Sequence, residues 1–421
     1  MTGNYKSNKK PSLKDFPSSV DYENNIRIYD TVSEENHMAV MSHFLHNPEV
    51  SLSEAQRANL VESILDFLRS KPDLYPQDVD LDDEYVSSII SDPFHNNLFS
   101  DFFNVPFPNP RNPRFTFIDL FAGIGGIRLP FTELGYSCVF SSEWDKHAQQ
   151  TYLANFGEMP FGDICKESTK RFIPKSFDVL LAGFPCQAFS IMGKQRGFED
   201  TRGTLFFEVA SILRKHKPKA FLLENVKQLV SHDKGRTFKT ILSTLDQLGY
   251  TFKWRILNAL DFGVPQKRER VIIVGFLEPK LTEAFSFDFD KLPYDLKDIL
   301  EEDKEVDQSL FASDMILNKR IERTSHKNIF YPSVWHENKS GNISVLDYAC
   351  ALRTGASYNY LLINGKRRPS SRELLRFQGF PDNYRIAVSH AEIRRQTGNS
   401  VPVPMIREIA KRIDKILTSN Y

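Results

Sequence analysis

The 421 residues contain no run of about 18 apolar residues, so no stretch is long enough in hydrocarbon to span a bilayer as a helix. The opening residues, MTGNYKSNKKPSLKDF, carry no apolar stretch behind their basic ones, as a secretory leader would. A cytoplasmic protein without membrane contact is therefore expected. Cysteine is scarce: the four thiols (Cys138, Cys165, Cys186, Cys350) show neither CxxC nor Cys/His ligand spacing. Neither a disulfide framework nor a bound metal is expected from them. Internal repeats and low-complexity tracts are missing too. Hydrophobic residues at 41% and charged residues at 26% exclude a wholly disordered or fibrous chain.

Net charge is also lacking, at zero, but the zero conceals two opposed parts. Residues 1–113 hold 9 Lys+Arg against 18 Asp+Glu, which from totals of 54 and 54 leaves 45 against 36 for residues 114–421. The acidic first part reads as a mostly helical extension. Ser53-Glu-Ala-Gln56 has the pattern of a capping box, and Leu60, Val61, Ile64, Leu65 and Leu68 form an apolar stripe over about Glu54 to Arg69. Met38, Met41, Phe44 and Leu45 suggest a second helix. The Pro/Asn-rich VPFPNPRNP then reads as a linker, and the basic remainder suits a polyanion.

From Arg114 short apolar runs alternate with amphipathic segments. FTFIDLF, SCVFSSE, DVLLAGF, AFLLEN and VIIVGF read as buried strands, with helices over Thr204–Lys217 and Gly235–Leu248. The pattern predicts a doubly wound, Rossmann-like α/β sheet over residues 114–276, with ligands at the carboxyl ends of its strands. Residues 277–366 lose the rhythm and read as a second, smaller domain. Residues 367–421 read as turn-and-helix segments returning to the first.

The loops after the strands carry the chemistry-bearing residues. Asp119-Leu-Phe-Ala-Gly-Ile-Gly-Gly126 is a glycine-rich turn, but the third glycine of a dinucleotide fingerprint is missing, since that position is Arg128. Glu143-Trp144 offers a carboxylate for ribose hydroxyls and an indole for a purine, and Asp163-Ile164 follows; together they suit an adenosine bearing no pyrophosphate. Singly, Trp144 reads equally as packing and Asp163 as a solvated charge. Cys186, directly after Pro185 at a strand end, is placed to face a cleft, although no His stands nearby as its base. Gly193–Gly203 holds three glycines, two arginines and a lysine, as a lid closing on phosphates would. Glu224-Asn225-Val226 puts a carboxylate at the cleft rim, and Gln266-Lys-Arg-Glu-Arg270 opens a strand with two arginines.

DLFAGIGG, GFPCQAFS, ENV, QKRER, RELLRFQGFPD and GNSV, in this order and spacing from about Phe115 to Leu417, resemble the characteristic blocks of the bacterial DNA cytosine-5 methyltransferases. The resemblance implies methyl transfer to carbon 5 of a cytosine flipped out of double-stranded DNA, with Cys186 as nucleophile and Glu224 at ring nitrogen 3. It assigns Arg270, and with less support Arg268, to the base's carbonyl oxygen. S-adenosylmethionine would lie on Asp119, Phe121, Gly123, Gly125 and Gly126, with Glu143 at the ribose, Trp144 on the adenine, Asp163 and Ile164 at its edge, and Pro185, Asn399 and Ser400 completing the pocket. Gln187, Ser190, Lys194, Arg196, Arg202 and Arg353 become DNA contacts, with Lys319, Arg320, Arg323 and Lys327 as further candidates in the recognition domain. The Thr-Leu-like pair of the family is replaced by Ala351-Leu352, which leaves the role of that pair open. A monomer acting alongside a cognate restriction endonuclease is expected, with residues from near Asn109 onward sufficient for activity. An RNA methyltransferase of the same fold fits less well because residues 277–366 supply a duplex reader. A noncatalytic regulator would be expected to have lost Cys186, Glu224 or the arginines, and all are present.

Overall fold

The structure, a computed structural model, describes residues 34–46, 54–70, 100–185 and 205–419, and the chain divides into two compact units, residues 1–98 and 99–421. In the first unit α1 (Glu34–His46) packs against α2 (Glu54–Ser70). The stripe foreseen on α2 is buried, Leu60, Ile64 and Leu68 being at most 1% exposed, as are Val40, Met41 and Leu45 on α1. Ser53 and the acidic run 78–84 lie outside the described residues.

The second unit is built on a six-stranded sheet. Its strands are β1 (Phe115–Leu120), β2 (Tyr136–Ser142), β3 (Val179–Ala182), β4 (Ala220–Val226), β5 (Thr251–Asn258) and, beyond the short β6 (Gln266–Lys267), β7 (Glu269–Phe276), in the order β2-β1-β3-β4-β7-β5. The first four are parallel, and β7 runs antiparallel to both β4 and β5. The sheet is thus mixed, and β5 is a strand that apolar runs do not reveal: its Lys253 and Arg255 bind the carbonyls of Phe285 and Phe287. Between the strands run α3 (Arg128–Glu133), α4 (Lys146–Phe156), α5 (Leu205–His216) and α6 (Arg236–Gln247), the last two within a residue of the expected bounds.

Residues 277–366 contribute α7 (Asp314–Thr324) and a small antiparallel sheet of β8 (Val334–Glu337), β9 (Ile343–Leu346) and β11 (Leu361–Ile363), while β10 (Ala349–Cys350) leaves that sheet to pair with β6. This region has no separate core. Leu296, Val334, Leu352 and Leu361 pack in one cluster with Ala122, Ile124, Tyr152 and Phe377. The chain returns through α8 (Ser371–Arg376), α9 (His390–Asn399) and α10 (Val403–Ser419). Ser370 and Glu373 close a reciprocal capping box at the start of α8. Met405, Ile406, Ile409 and Ile413 of α10 pack on Phe117, Leu181, Leu222 and Val274 of the sheet.

The stretch expected as a linker is instead held to the sheet edge. Asn109 Nδ2 donates to the Cys138 carbonyl and its Oδ1 accepts from the Cys138 N–H, both at 3.0 Å, as a neighbouring strand would. Phe107 adds a backbone bond to the Asn155 carbonyl and a ring stacked on Tyr384.

Candidate active site

One cavity of about 580 Å³ opens at the carboxyl ends of the parallel strands. The turn after β1 forms one wall. Phe121 adopts a left-handed backbone (φ 56°), a conformation that costs a non-glycine residue energy and is kept where neighbours enforce it. Gly125 is needed because a Cβ there would stand 2.2 Å from the Phe156 ring. Glu143, at the end of β2, pins the turn: Oε2 accepts from the Gly123 N–H and Oε1 from the Asp145 N–H, each at 2.8 Å. Trp144 lies at the rim, 79% exposed, with its indole unpacked. Phe121, Gly123, Gly126, Glu143, Trp144, Asp163, Ile164, Pro185, Asn399 and Ser400 all line the cavity. Two residues expected there do not: Gly125 backs on Phe156, and Asp119 is buried beneath the turn, accepting from Tyr152 Oη at 3.3 Å.

Across the cavity stand Glu224 and Arg270, paired side by side on β4 and β7, with Arg270 Nε 2.8 Å from Glu224 Oε1. Among the described residues Oε2 of Glu224 has no donor. Burial holds this carboxyl above the usual range, against the opposing pull of Arg270 and Arg268. Asn225 was not given a role by its motif, yet it shapes the loop that leads to Cys186: its Nδ2 donates to the Phe184 carbonyl at 2.7 Å. Gln396 and the ion pair of Arg395 with Asp145 at 2.6 Å also belong to the cavity wall. Sequence offered only their nearness to GNSV and to Glu143.

Arg268 is not brought to this cavity. Its guanidinium is buried and donates to the carbonyls of Leu352 (3.0 Å), Gly398 (2.8 Å) and Ser400 (2.5 Å), so it braces the wall from behind. Arg320 is likewise turned away from solvent, 2% exposed and paired with Glu337 at 2.9 Å, which removes it as a DNA contact. Arg323 bonds Glu337 and the Gly341 carbonyl, and Lys327 bonds the Ile343 carbonyl, so both tie α7 to β9 and its turn; Lys319 stays exposed. Arg353 is exposed beside Tyr360. Cys186, Gln187, Ser190, Lys194, Arg196 and Arg202 lie outside the described residues.

Among the described residues no group of His, Cys, Asp or Glu is placed to hold a metal ion, and no helix is long and apolar enough to cross a membrane. The family described as C-5 cytosine-specific DNA methylase matches residues 115–415. The type II methyltransferase M.HaeII of Haemophilus aegyptius is 56% identical over 293 residues, covering 70% of this chain and 91% of that protein. M.NgoBI of Neisseria gonorrhoeae, also a type II methyltransferase, is 55% identical over 301 residues, covering 71% and 93%. Among solved structures, a DNMT2 variant of Spodoptera frugiperda shares the fold with a TM-score of 0.55 at 20% identity, over 71% of this chain and 99% of that one.

Proposed function

Since the chain belongs to the C-5 cytosine-specific DNA methylase family, we propose that it methylates carbon 5 of a cytosine flipped out of duplex DNA, through a covalent bond to Cys186. The observation that carries this reading is the pairing of Glu224 with Arg270 across one cavity from the glycine turn and Glu143. Flipping is needed because a stacked base cannot enter such a cavity.

The wall residues fit S-adenosylmethionine. The Glu143 carboxylate lines the cavity where ribose hydroxyls can donate to it, the exposed Trp144 indole can cover a purine, and Asp163 stands nearby. Gly123 leaves open space where a Cβ would project, and Gly126 lets Ser400 close in, since a Cβ there would meet its Oγ at 2.8 Å. When bound, the cofactor supplies a methyl group on a positively charged sulfur. The residues of this chain do the rest. Cys186, which follows the cavity-lining Pro185, adds as thiolate to carbon 6 of the ring. Glu224, whose carboxyl burial holds above its ordinary range, gives a proton to ring nitrogen 3, so carbon 5 becomes nucleophilic and takes the methyl group. Ring nitrogen 3 then returns its proton to Glu224, and loss of the carbon 5 proton to solvent water breaks the sulfur–carbon bond and frees the thiolate. Arg270 holds the base's carbonyl oxygen and keeps Glu224 oriented.

Residues 277–366 are the proposed recognition region, acting through the major groove, where all four base pairs differ. The biological consequence would be protection of host DNA from a cognate endonuclease cutting the same site. The test is direct. Wild type should form an adduct with duplex DNA carrying 5-fluorocytosine, stable on a denaturing gel, and Cys186→Ala should lose both adduct and methylation while binding S-adenosylmethionine within about tenfold of wild type. Release of the fluorinated DNA unmodified by active enzyme would sink the covalent route. Bisulfite sequencing of DNA from a methylation-free host expressing the chain would give the site.

A further inference from the structure

Three arginines from three separate segments meet around two tyrosines at the edge of the cavity. Arg353 follows β10, Arg368 follows β11 and Arg394 lies on α9. The guanidinium carbons of Arg368 and Arg394 lie 4.3 and 5.2 Å from the centre of the Tyr358 ring. Those of Arg353 and Arg394 lie 5.2 and 6.0 Å from the centre of Tyr360. We propose that this cluster is a binding site for the phosphates of duplex DNA flanking the flipped nucleotide, a proposal that rests on the function above.

The absence of counter-charge is the first support. Among the described residues none of the three arginines is in an ion pair; their partners are neutral. Arg394 donates to the carbonyls of Ala356 (2.7 Å) and Ser357 (3.0 Å), and Arg368 to Asn359 Oδ1 (2.9 Å) and the Ser309 carbonyl. His390 stands in the same field, where its own burial together with Arg368 and Arg394 holds its imidazole below the usual range, and Asp307 pulls weakly the other way. Three positive charges gathered on two π-faces repel one another, and the rings offset only part of that repulsion. A site that keeps them without a carboxylate in ion-pair contact is suited to an anion supplied from outside.

Position is the second. Tyr358 is 48% exposed and Arg353 is exposed, so the cluster faces solvent. Its backbone also abuts the cavity wall: a Cβ on Gly398, which lines the cavity, would stand 2.8 Å from the Thr354 nitrogen and 3.1 Å from the Arg353 carbonyl carbon. A strand whose base enters the cavity must carry its neighbouring phosphates past this edge. Arg368 and Arg394 are tied to carbonyls of their own protein and stacked on Tyr358, so they cannot reach into a groove. The contact is therefore with backbone and blind to sequence.

Neutralising one phosphate contact changes the slope of log K against log salt by about 0.9. The full-length chain, with S-adenosylmethionine present, is titrated at several KCl concentrations with two short duplexes, one holding the methylated site and one scrambled. Arg353→Gln and Arg394→Gln should each flatten the slope by about 0.9 and weaken both duplexes by the same factor, with cofactor affinity unchanged. Arg394→Lys, which keeps the charge, should keep the slope. An unchanged slope in Arg353→Gln, whose guanidinium ties down no loop, overturns the proposal. So does a loss confined to the duplex with the site, because that marks a base reader. If wild type itself binds neither duplex, the DNA reading falls, and the phosphate site with it.

Discussion

Two buried carboxyls near the cavity are both pushed upward by burial, and only their surroundings separate their roles. Asp119 is raised to about 7, with Arg128 and Tyr152 opposing, but it lies sealed under the glycine turn with no route for a substrate proton. Glu224 has one oxygen on Arg270 and the other toward the cavity, so its proton can leave in a reaction. The two make different pH effects. Asp119 has a folded pKa above its unfolded one, so the stability it contributes is full below about 4 and is lost as pH rises through about 7. Glu224, if it donates to ring nitrogen 3, must be protonated, so kcat should fall as pH rises through its raised value. Asp119→Asn should therefore flatten the decline of Tm between pH 5 and 8, relative to wild type, while leaving the alkaline fall of kcat in place; those pH limits are chosen to bracket the value of about 7. Glu224→Gln should lower kcat by roughly 10²- to 10⁴-fold and remove its alkaline limb. A limb that survives in Glu224→Gln would assign the proton to another group.

At the scale of elements, the short β6 and the Arg268 that follows it gather parts of the chain far apart in sequence. Gln266 donates to the Phe377 carbonyl and accepts from the Leu352 N–H, while Arg268 spans the carbonyls of Leu352, Gly398 and Ser400. Residues 277–366 and the cavity wall at Gly398 and Ser400 are thus bolted to the segment that leads into β7 and Arg270. Arg268→Lys retains the charge but loses the fork, and one lost charged hydrogen bond costs about 1.5–3 kcal/mol. The expected outcome is a lower Tm and a raised KM for both S-adenosylmethionine and DNA, with kcat changed less. A large fall in kcat at unchanged KM would return Arg268 to the substrate. The motif named this arginine but offered it a task at the base's carbonyl oxygen instead of this one, because convergence of carbonyls 84, 130 and 132 residues away is a property of the fold. The glycine turn and β1 to β4 were legible for the opposite reason. Each is a local pattern of apolar run and glycine, whereas β5 alternates charge with apolar residues at the sheet edge and shows no such run.

Across the whole molecule, the boundary between extension and enzyme falls earlier than composition suggests. The break in charge and the cluster of prolines drew the eye to residue 113, but the contacts place it at 98 and 99. Asn109 fills the hydrogen-bonding positions of Cys138 on the edge strand β2 and also meets Arg128 and Glu158, whose buried pair is 2.6 Å apart. Val105 and Phe102 are buried as well, at 9% and 6% exposure. A chain beginning near Asn109 would keep that residue only as a free terminus, strip Phe107 from Phe156 and Tyr384, and remove the buried Phe102 and Val105. Losing one packed ring and two buried apolar side chains costs several kcal/mol, a large share of ordinary domain stability. The first unit, by contrast, falls outside the matched residues 115–415, and its α1–α2 pair buries its own apolar stripe. A chain starting at Phe99 should therefore fold and methylate the same sites as the full protein in bisulfite sequencing. One starting at Asn109 should show a Tm lower by several degrees or accumulate as insoluble protein. If the Phe99 chain is soluble and binds S-adenosylmethionine but methylates different sites, residues 1–98 are part of the reader. If the Asn109 chain matches it in Tm, residues 99–108 and the packing of Phe107 have no energetic weight.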